Sequence, residues 1–168
     1  MKSKSAWKLS ILAIGIALYV ALSMSVKIPI ISNIGLDLGY IVLAVYCYYF
    51  GGIYGMIIGG CGCALVSLIT SGWFPPGWFI GNIFIGYVCG QFFRKEDKFS
   101  YFNIFLIVFS VIIGIAGIKT LIECLMFHIP WIIKIEKNAI AALVDIVVMV
   151  IGLIISPKFK NVFKYQSG

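Results

Sequence analysis

Charge is what this chain of 168 residues has least of. Asp, Glu, Lys and Arg make up 11% of it, and only six of those residues are acidic. Soluble domains carry about 25% charged residues, so a chain with 62% hydrophobic residues has too few polar groups to cover a water-facing surface. A water-soluble globular fold is thereby excluded. The single histidine, His128, leaves no room for a His-Glu-x-x-His zinc site or any other multi-histidine cluster. No Gly-x-x-x-x-Gly-Lys-[Ser/Thr] loop is present to cradle nucleotide phosphates. Cys47, Cys61, Cys63, Cys89 and Cys124 are scattered through apolar runs, and Cys61-x-Cys63 is too closely spaced for ordinary zinc ligands. They read as small buried hydrophobes. No Ser-His-Asp arrangement emerges from the spacing, so no catalytic residue, metal or cofactor is expected.

What is present is apolar length. A helix needs about 20 mainly apolar residues to span the hydrocarbon core of a bilayer. Six such spans run approximately over 9–26, 36–50, 52–71, 77–93, 101–127 and 139–156. Pro29, Pro75, Pro76 and Pro130 fall between them and Pro157 follows the last, where a missing N–H does least harm. The second span is short, and the fifth is long enough to tilt or project. With no second domain, long linker or low-complexity tract in view, residues 1–168 are expected to form one all-α integral membrane domain, a bundle of six transmembrane helices.

Lysine and arginine set the orientation. Six spans put both termini on one side, which holds Lys2, Lys4, Lys8, Arg94, Lys95, Lys98, Lys158, Lys160 and Lys164, against Lys27, Lys134 and Lys137 on the other. The excess places both termini in the cytoplasm. The formal net charge of +7 is then a topology signal rather than a sign of nucleic-acid binding.

A few polar residues remain inside the spans. Lys119 and Glu123 lie four positions apart in the fifth, Asn82 in the fourth and Asp145 in the sixth. At about 1.5 Å per residue they gather in the outer half, Lys119 and Asp145 roughly 12 Å below the boundary. An uncompensated charge at the centre of a bilayer costs about 2.5–3.5 kcal/mol on insertion scales. These groups should therefore face one another or a wet cavity, as a structural network that fixes helix register or as ligand contacts. The outer loops add Asn33, Asp37 and Tyr40 after the first span, Trp73 and Trp78 in SGWFPPGWF, and Trp131 and Asn138 after the fifth. Tryptophans at a membrane interface are commonly belt residues, yet their faces also stack well on flat heterocycles.

Small residues follow a pattern of their own. Gly51, Gly55 and Gly59, Gly77 and Gly81, and Gly86 and Gly90 recur every four residues, a spacing that lets membrane helices approach closely. Ala13, Ala17 and Ala21 make a similar stripe in the first span, suited to docking another protein. Polar residues do not continue into the inner halves of the spans as an ion or solute path would require. A binding subunit that depends on a partner is favoured over a stand-alone small transporter or channel, and an intramembrane enzyme lacks any nucleophile or metal cluster.

Six short spans, the Ala13, Ala17, Ala21 stripe, the segment DLGYIVLAVYCYYFGGIYGMIIGGCGCALVSLITSG over 37–72 and PPGWFIGNIFIGYVCGQFFRK over 75–95 together resemble the substrate-binding S components of energy-coupling factor (ECF) transporters. The likeness is closest to the riboflavin-transporter-like or generic micronutrient branch. It implies a subunit in the bacterial plasma membrane that binds a vitamin or related micronutrient at an outward-facing site. It also implies that the alanine stripe docks a transmembrane coupling (T) subunit carrying two cytoplasmic ATPases. Flavins, pyridoxine-like and thiamine-like vitamins and deazaguanine precursors all suit the aromatic loops and the polar set.

Overall fold

The computed structural model describes residues 2–25, 29–31, 34–95 and 100–160. Among the described residues six helical stretches follow one another: α1 (Lys2–Ser25), α2 (Gly39–Phe50), α3 (Gly52–Ser71), α4 (Pro76–Phe92), α5 (Tyr101–Phe127) and α6 (Trp131–Ile155), the last running into a 3-10 turn at Ser156–Phe159. Four stretches, Ala6–Ser25, Gly52–Ser71, Tyr101–Phe127 and Trp131–Phe159, are long and apolar enough to cross a bilayer. Between α1 and α2 a small antiparallel pair, β1 (Pro29–Ile31) and β2 (Ile34–Gly35), stands where the sequence suggested only a loop.

Helix ends follow local chemistry. Pro75 and Pro76 sit at the N-cap and first turn of α4, and Pro130 is the N-cap residue of α6, positions whose N–H groups have no intrahelical acceptor. Gly51 breaks α2 from α3 at φ 89°, a left-handed conformation that only glycine takes without strain. α2 begins at Gly39 rather than Leu36, because the Asp37 carboxylate accepts the Gly39 N–H at 2.9 Å and closes the first turn. The clearest departure from the sequence-based boundaries is α6, which starts at Trp131 and not Ala139. Lys134 and Asn138, one turn apart, point inward to polar partners on α5, whereas Glu136 and Lys137 are exposed. A loop by composition is thus two amphipathic turns of helix.

α2 is the centre of the bundle. At 12 residues it is about 18 Å long, shorter than the hydrocarbon core of about 30 Å, and nearly all of it is buried. It packs on α1, α3, α4 and α6. Glycine sets the spacing of the tighter crossings: Gly55 lies against the Gly86 backbone, Gly52 against Tyr87, and Gly90 against Gly51. In lipid no hydrophobic force drives helix against helix, so close backbone packing of this kind carries much of the association. The end of the bundle opposite the polar cluster described below is tied by Asn103, whose side chain takes the Arg94 N–H and donates to the Arg94 carbonyl, both at 2.8 Å.

α5 is one continuous helix with an irregular middle. Ile112–Lys119 has π-helical hydrogen bonding, and the Thr120 hydroxyl donates to the Ile115 carbonyl at 3.3 Å. The wider repeat turns the residues after it relative to a regular α-helix, and such segments occur often at functional sites. α4 crosses this stretch at contact distance. A Cβ on Gly77 would lie 2.9 Å from the Lys119 carbonyl oxygen, and one on Gly81 would lie 2.5 Å from that of Gly114.

Candidate functional site

The crossing of α4 and α5 puts the start of α4 beside Lys119. The Lys119 ammonium lies 4.6 Å from the centroid of the Trp78 ring. A cation over an indole face gains about 0.5–2 kcal/mol, more as water is excluded. One turn along the same face of α4 is Asn82, fully buried, whose side-chain N–H donates to the Trp78 carbonyl at 3.0 Å. Cys63 of α3 lies beside Asn82, within electrostatic reach of Lys119.

α2 closes the other side. Tyr40 is fully buried, its hydroxyl beside the Trp78 indole and the Asp145 carboxyl of α6. Asp145 is itself buried, with Asp37, Lys119 and Tyr40 as the polar groups that act on it. Asp37 is saturated by donors: Ser23 at 2.5 Å, Tyr19 at 3.4 Å and the Gly39 N–H. It therefore clasps the end of α1 to the start of α2. Tyr19 stacks obliquely on Tyr40, with ring centroids 6.3 Å apart.

Within this cluster three buried atoms, Tyr40 Oη, Trp78 Nε1 and Asn82 Oδ1, make no well-formed hydrogen bond, although the Tyr40 hydroxyl lies beside the Trp78 indole and the Asp145 carboxyl and Asn82 beside the Cys63 thiol. A buried polar group left unpaired costs about 1–3 kcal/mol, and such groups are few in native proteins. Three within one cluster, on α2 and on successive turns of α4, make a polar surface whose own groups satisfy one another only loosely.

A family model described as ECF-type riboflavin transporter, S component, matches residues 3–159. The chain belongs to that family. This S component is similar to the UPF0397 protein of Streptococcus thermophilus (strain ATCC BAA-491 / LMD-9), 29% identical over 161 residues, covering 90% of this chain and 88% of the relative. It is likewise similar to UPF0397 protein str0306 of Streptococcus thermophilus (strain CNRZ 1066), 29% identical over 160 residues with the same coverage. The family is one of transport subunits, not of enzymes, and the four apolar stretches agree with a multi-pass membrane protein.

The structure separates the residues singled out in the sequence. Asp37, Tyr40, Trp78, Asn82, Lys119 and Asp145 of the S component come together in the cluster just described. Glu123 does not join Lys119 in an ion pair. It is held by Lys134 at 3.1 Å, the one ion pair among the described residues, and by Asn138 at 3.4 Å. Asn138 is buried and also donates to Thr120 at 2.9 Å, so these four tie α6 to α5 next to the cluster. Trp73 is exposed and packs on Phe127, and Trp131 is exposed at an apolar hollow formed with Ile112, Gly117 and Ile135. Neither reaches the cluster. Asn33 lies outside the described residues.

Ala13, Ala17 and Ala21 are all exposed on α1, whose opposite face buries Ile11, Gly15, Tyr19 and Ser23. That buried face was missed in the sequence, although its own four-residue spacing was the available signal. Lys134 and Thr120 were missed as well. Their partners lie on another helix, and spacing within one helix does not reveal them.

Proposed function

We propose that this S component binds a vitamin-like micronutrient in the cluster between α2, α4, α5 and α6 and delivers it through an ECF complex. The three buried atoms without a well-formed hydrogen bond, Tyr40 Oη, Trp78 Nε1 and Asn82 Oδ1, carry this reading, because a ligand that bonds them with better geometry recovers a cost already built into the fold. A flat nitrogen heterocycle fits the aromatic and amide character of the cluster, and riboflavin, named in the family description, is the first ligand to test. The cluster lies toward the end of the bundle where α4 and α6 begin, away from the start of α1 and the end of α6. With the termini cytoplasmic, as the lysine and arginine distribution favours, the site faces outward. The exposed alanine face of α1 docks the T subunit, which is joined to two ATPases.

Purified protein in detergent should bind its ligand saturably at one site without ATP. Small molecules released from protein purified from native membranes identify that ligand by mass spectrometry. Cells producing the S component alone should not accumulate it, whereas cells that also produce a T subunit and the ATPases should. Accumulation by the S component alone would instead favour a stand-alone transporter.

A further inference from the structure

Thr120 follows the last residue of the wide segment of α5 and is fully buried. A threonine inside a regular α-helix can bond back to the carbonyl four residues earlier. Thr120 instead donates its hydroxyl to Ile115, five residues earlier, at 3.3 Å, while its N–H turns to the Gly117 carbonyl. In a π turn that five-residue bond belongs to a backbone N–H, so here the side chain closes the widened turn. The same hydroxyl oxygen accepts the Asn138 side-chain N–H at 2.9 Å, and that amide also reaches Glu123 at 3.4 Å.

With its proton and a lone pair engaged inside the protein and no surface exposed, Thr120 has nothing to offer a ligand. What it holds is register. Asn138 is also buried and stands near the start of α6, about 10 Å along the axis from Asp145, so the bond between them fixes α5 against the helix that carries that carboxyl. Lys119, the residue before Thr120, packs its backbone on Gly77 of α4 and sets its ammonium 4.6 Å from the Trp78 ring centroid. Tightening the segment to the α repeat would turn Lys119 about the helix axis and off that ring.

We infer that Thr120 is a positioning residue for the candidate site: anchored by Asn138 and bonded to Ile115, it holds the wide segment of α5 in the register that keeps Lys119 over Trp78. Asn138, a candidate ligand contact by sequence, is then the anchor of this bond. The consequence for ligand affinity rests on the proposed site, whereas the contact between Lys119 and Trp78 can be read without a ligand.

Two variants separate the hydroxyl from the rest of the side chain. Thr120→Ser keeps it. Thr120→Val replaces it with a methyl group and leaves Asn138 its contact with Glu123, so the variant should fold, as melting without ligand shows. Each is made in a chain whose Trp7, Trp73 and Trp131 are replaced by phenylalanine, with and without Lys119→Met, so that Trp78 emission registers whether the lysine sits on the ring. Lys119→Met should shift that emission in the Thr120 parent and in Thr120→Ser, and leave it nearly unmoved in Thr120→Val. Riboflavin, or the molecule released from purified protein, should bind about tenfold more weakly to Thr120→Val and within about twofold of the parent to Thr120→Ser. Asn138→Ala, which removes the anchor, is read in the same way should Thr120→Val fail to fold. A shift of full size in Thr120→Val, or no shift in the parent, overturns the inference whatever the ligand does. If the lysine leaves the ring and affinity holds, the positioning role stands and the proposed site falls, since the ligand then takes no account of Lys119.

Discussion

The crossing of α4 and α5 is the part of the fold that most directly positions Lys119, and one added carbon tests it. In Gly77→Ala the new Cβ would lie 2.9 Å from the Lys119 carbonyl oxygen and 3.4 Å from its Cα, both backbone atoms that move only if a helix moves. Overpacking against such neighbours costs about 1–3 kcal/mol. A control lies in the same region: a Cβ on Gly117 meets nothing nearer than the Ile112 carbonyl oxygen at 3.9 Å. Gly117→Ala keeps the benefit of alanine over glycine in a helix, about 1 kcal/mol, without the clash. Comparing the two alanine variants cancels the helix-propensity change to first order and leaves the crossing. For a chain of this size each kcal/mol moves the melting temperature by about 2–4 °C, so Gly77→Ala should melt about 2–12 °C below Gly117→Ala. Because the strain falls on Lys119 and on the residue next to Trp78, ligand affinity in Gly77→Ala should also drop, by about tenfold. Thermal unfolding in detergent, with and without ligand, reads both effects. Equal melting and equal affinity in the two variants would refute the claim that this contact sets the site.

Further variants test neighbouring parts of the account. Ala17→Trp should remain folded and ligand-binding but fail to co-purify with the T subunit, since the residue is exposed on α1 and faces away from Tyr19. Asp37→Ala strands the donors of Ser23, Tyr19 and Gly39 and should lower stability by about 1–3 kcal/mol, whereas Asp37→Asn keeps an acceptor oxygen and should lose less. Glu123→Gln weakens a partly exposed tie to Lys134, worth about 1 kcal/mol, and should cost less affinity than Lys119→Met, as titration of the two variants would show.

Much of the fold was legible because membrane segments announce themselves by length and because proline and glycine mark their ends. The cuts at Pro75 and Pro130 needed no tertiary information, whereas FGGIYG joins the second and third spans without a polar break and the cut at Gly51 shows only in its positive φ. The start of α6 was not legible: Lys134, Glu136 and Lys137 look like loop composition until Glu123 and Thr120, on another helix, are seen to take Lys134 and Asn138 as partners. In the cluster, Asn82, Lys119 and Asp145 stood out because polar groups are costly in hydrocarbon. Tyr40 and Trp78 stood out only as members of aromatic loops, and the burial of their polar atoms depends on packing that spacing does not encode. Lys119 and Glu123 share a helix spacing that favours pairing, yet Lys134 holds the glutamate and leaves the lysine on Trp78. The clasp on Asp37 was illegible for the same reason, since Tyr19 and Ser23 belong to α1.

Trp78 offers the most direct measurement of where the ligand sits. With Trp7, Trp73 and Trp131 replaced by phenylalanine, Trp78 is the remaining tryptophan, and its emission reports on its own surroundings. Titration of that variant with riboflavin, or with the molecule released from purified protein, should change the emission saturably at the affinity of the unmodified S component, and Asn82→Leu should abolish the change. Ligand binding of undiminished affinity with Trp78 emission unaltered would contradict the account, because it would place the ligand elsewhere than between α2, α4, α5 and α6.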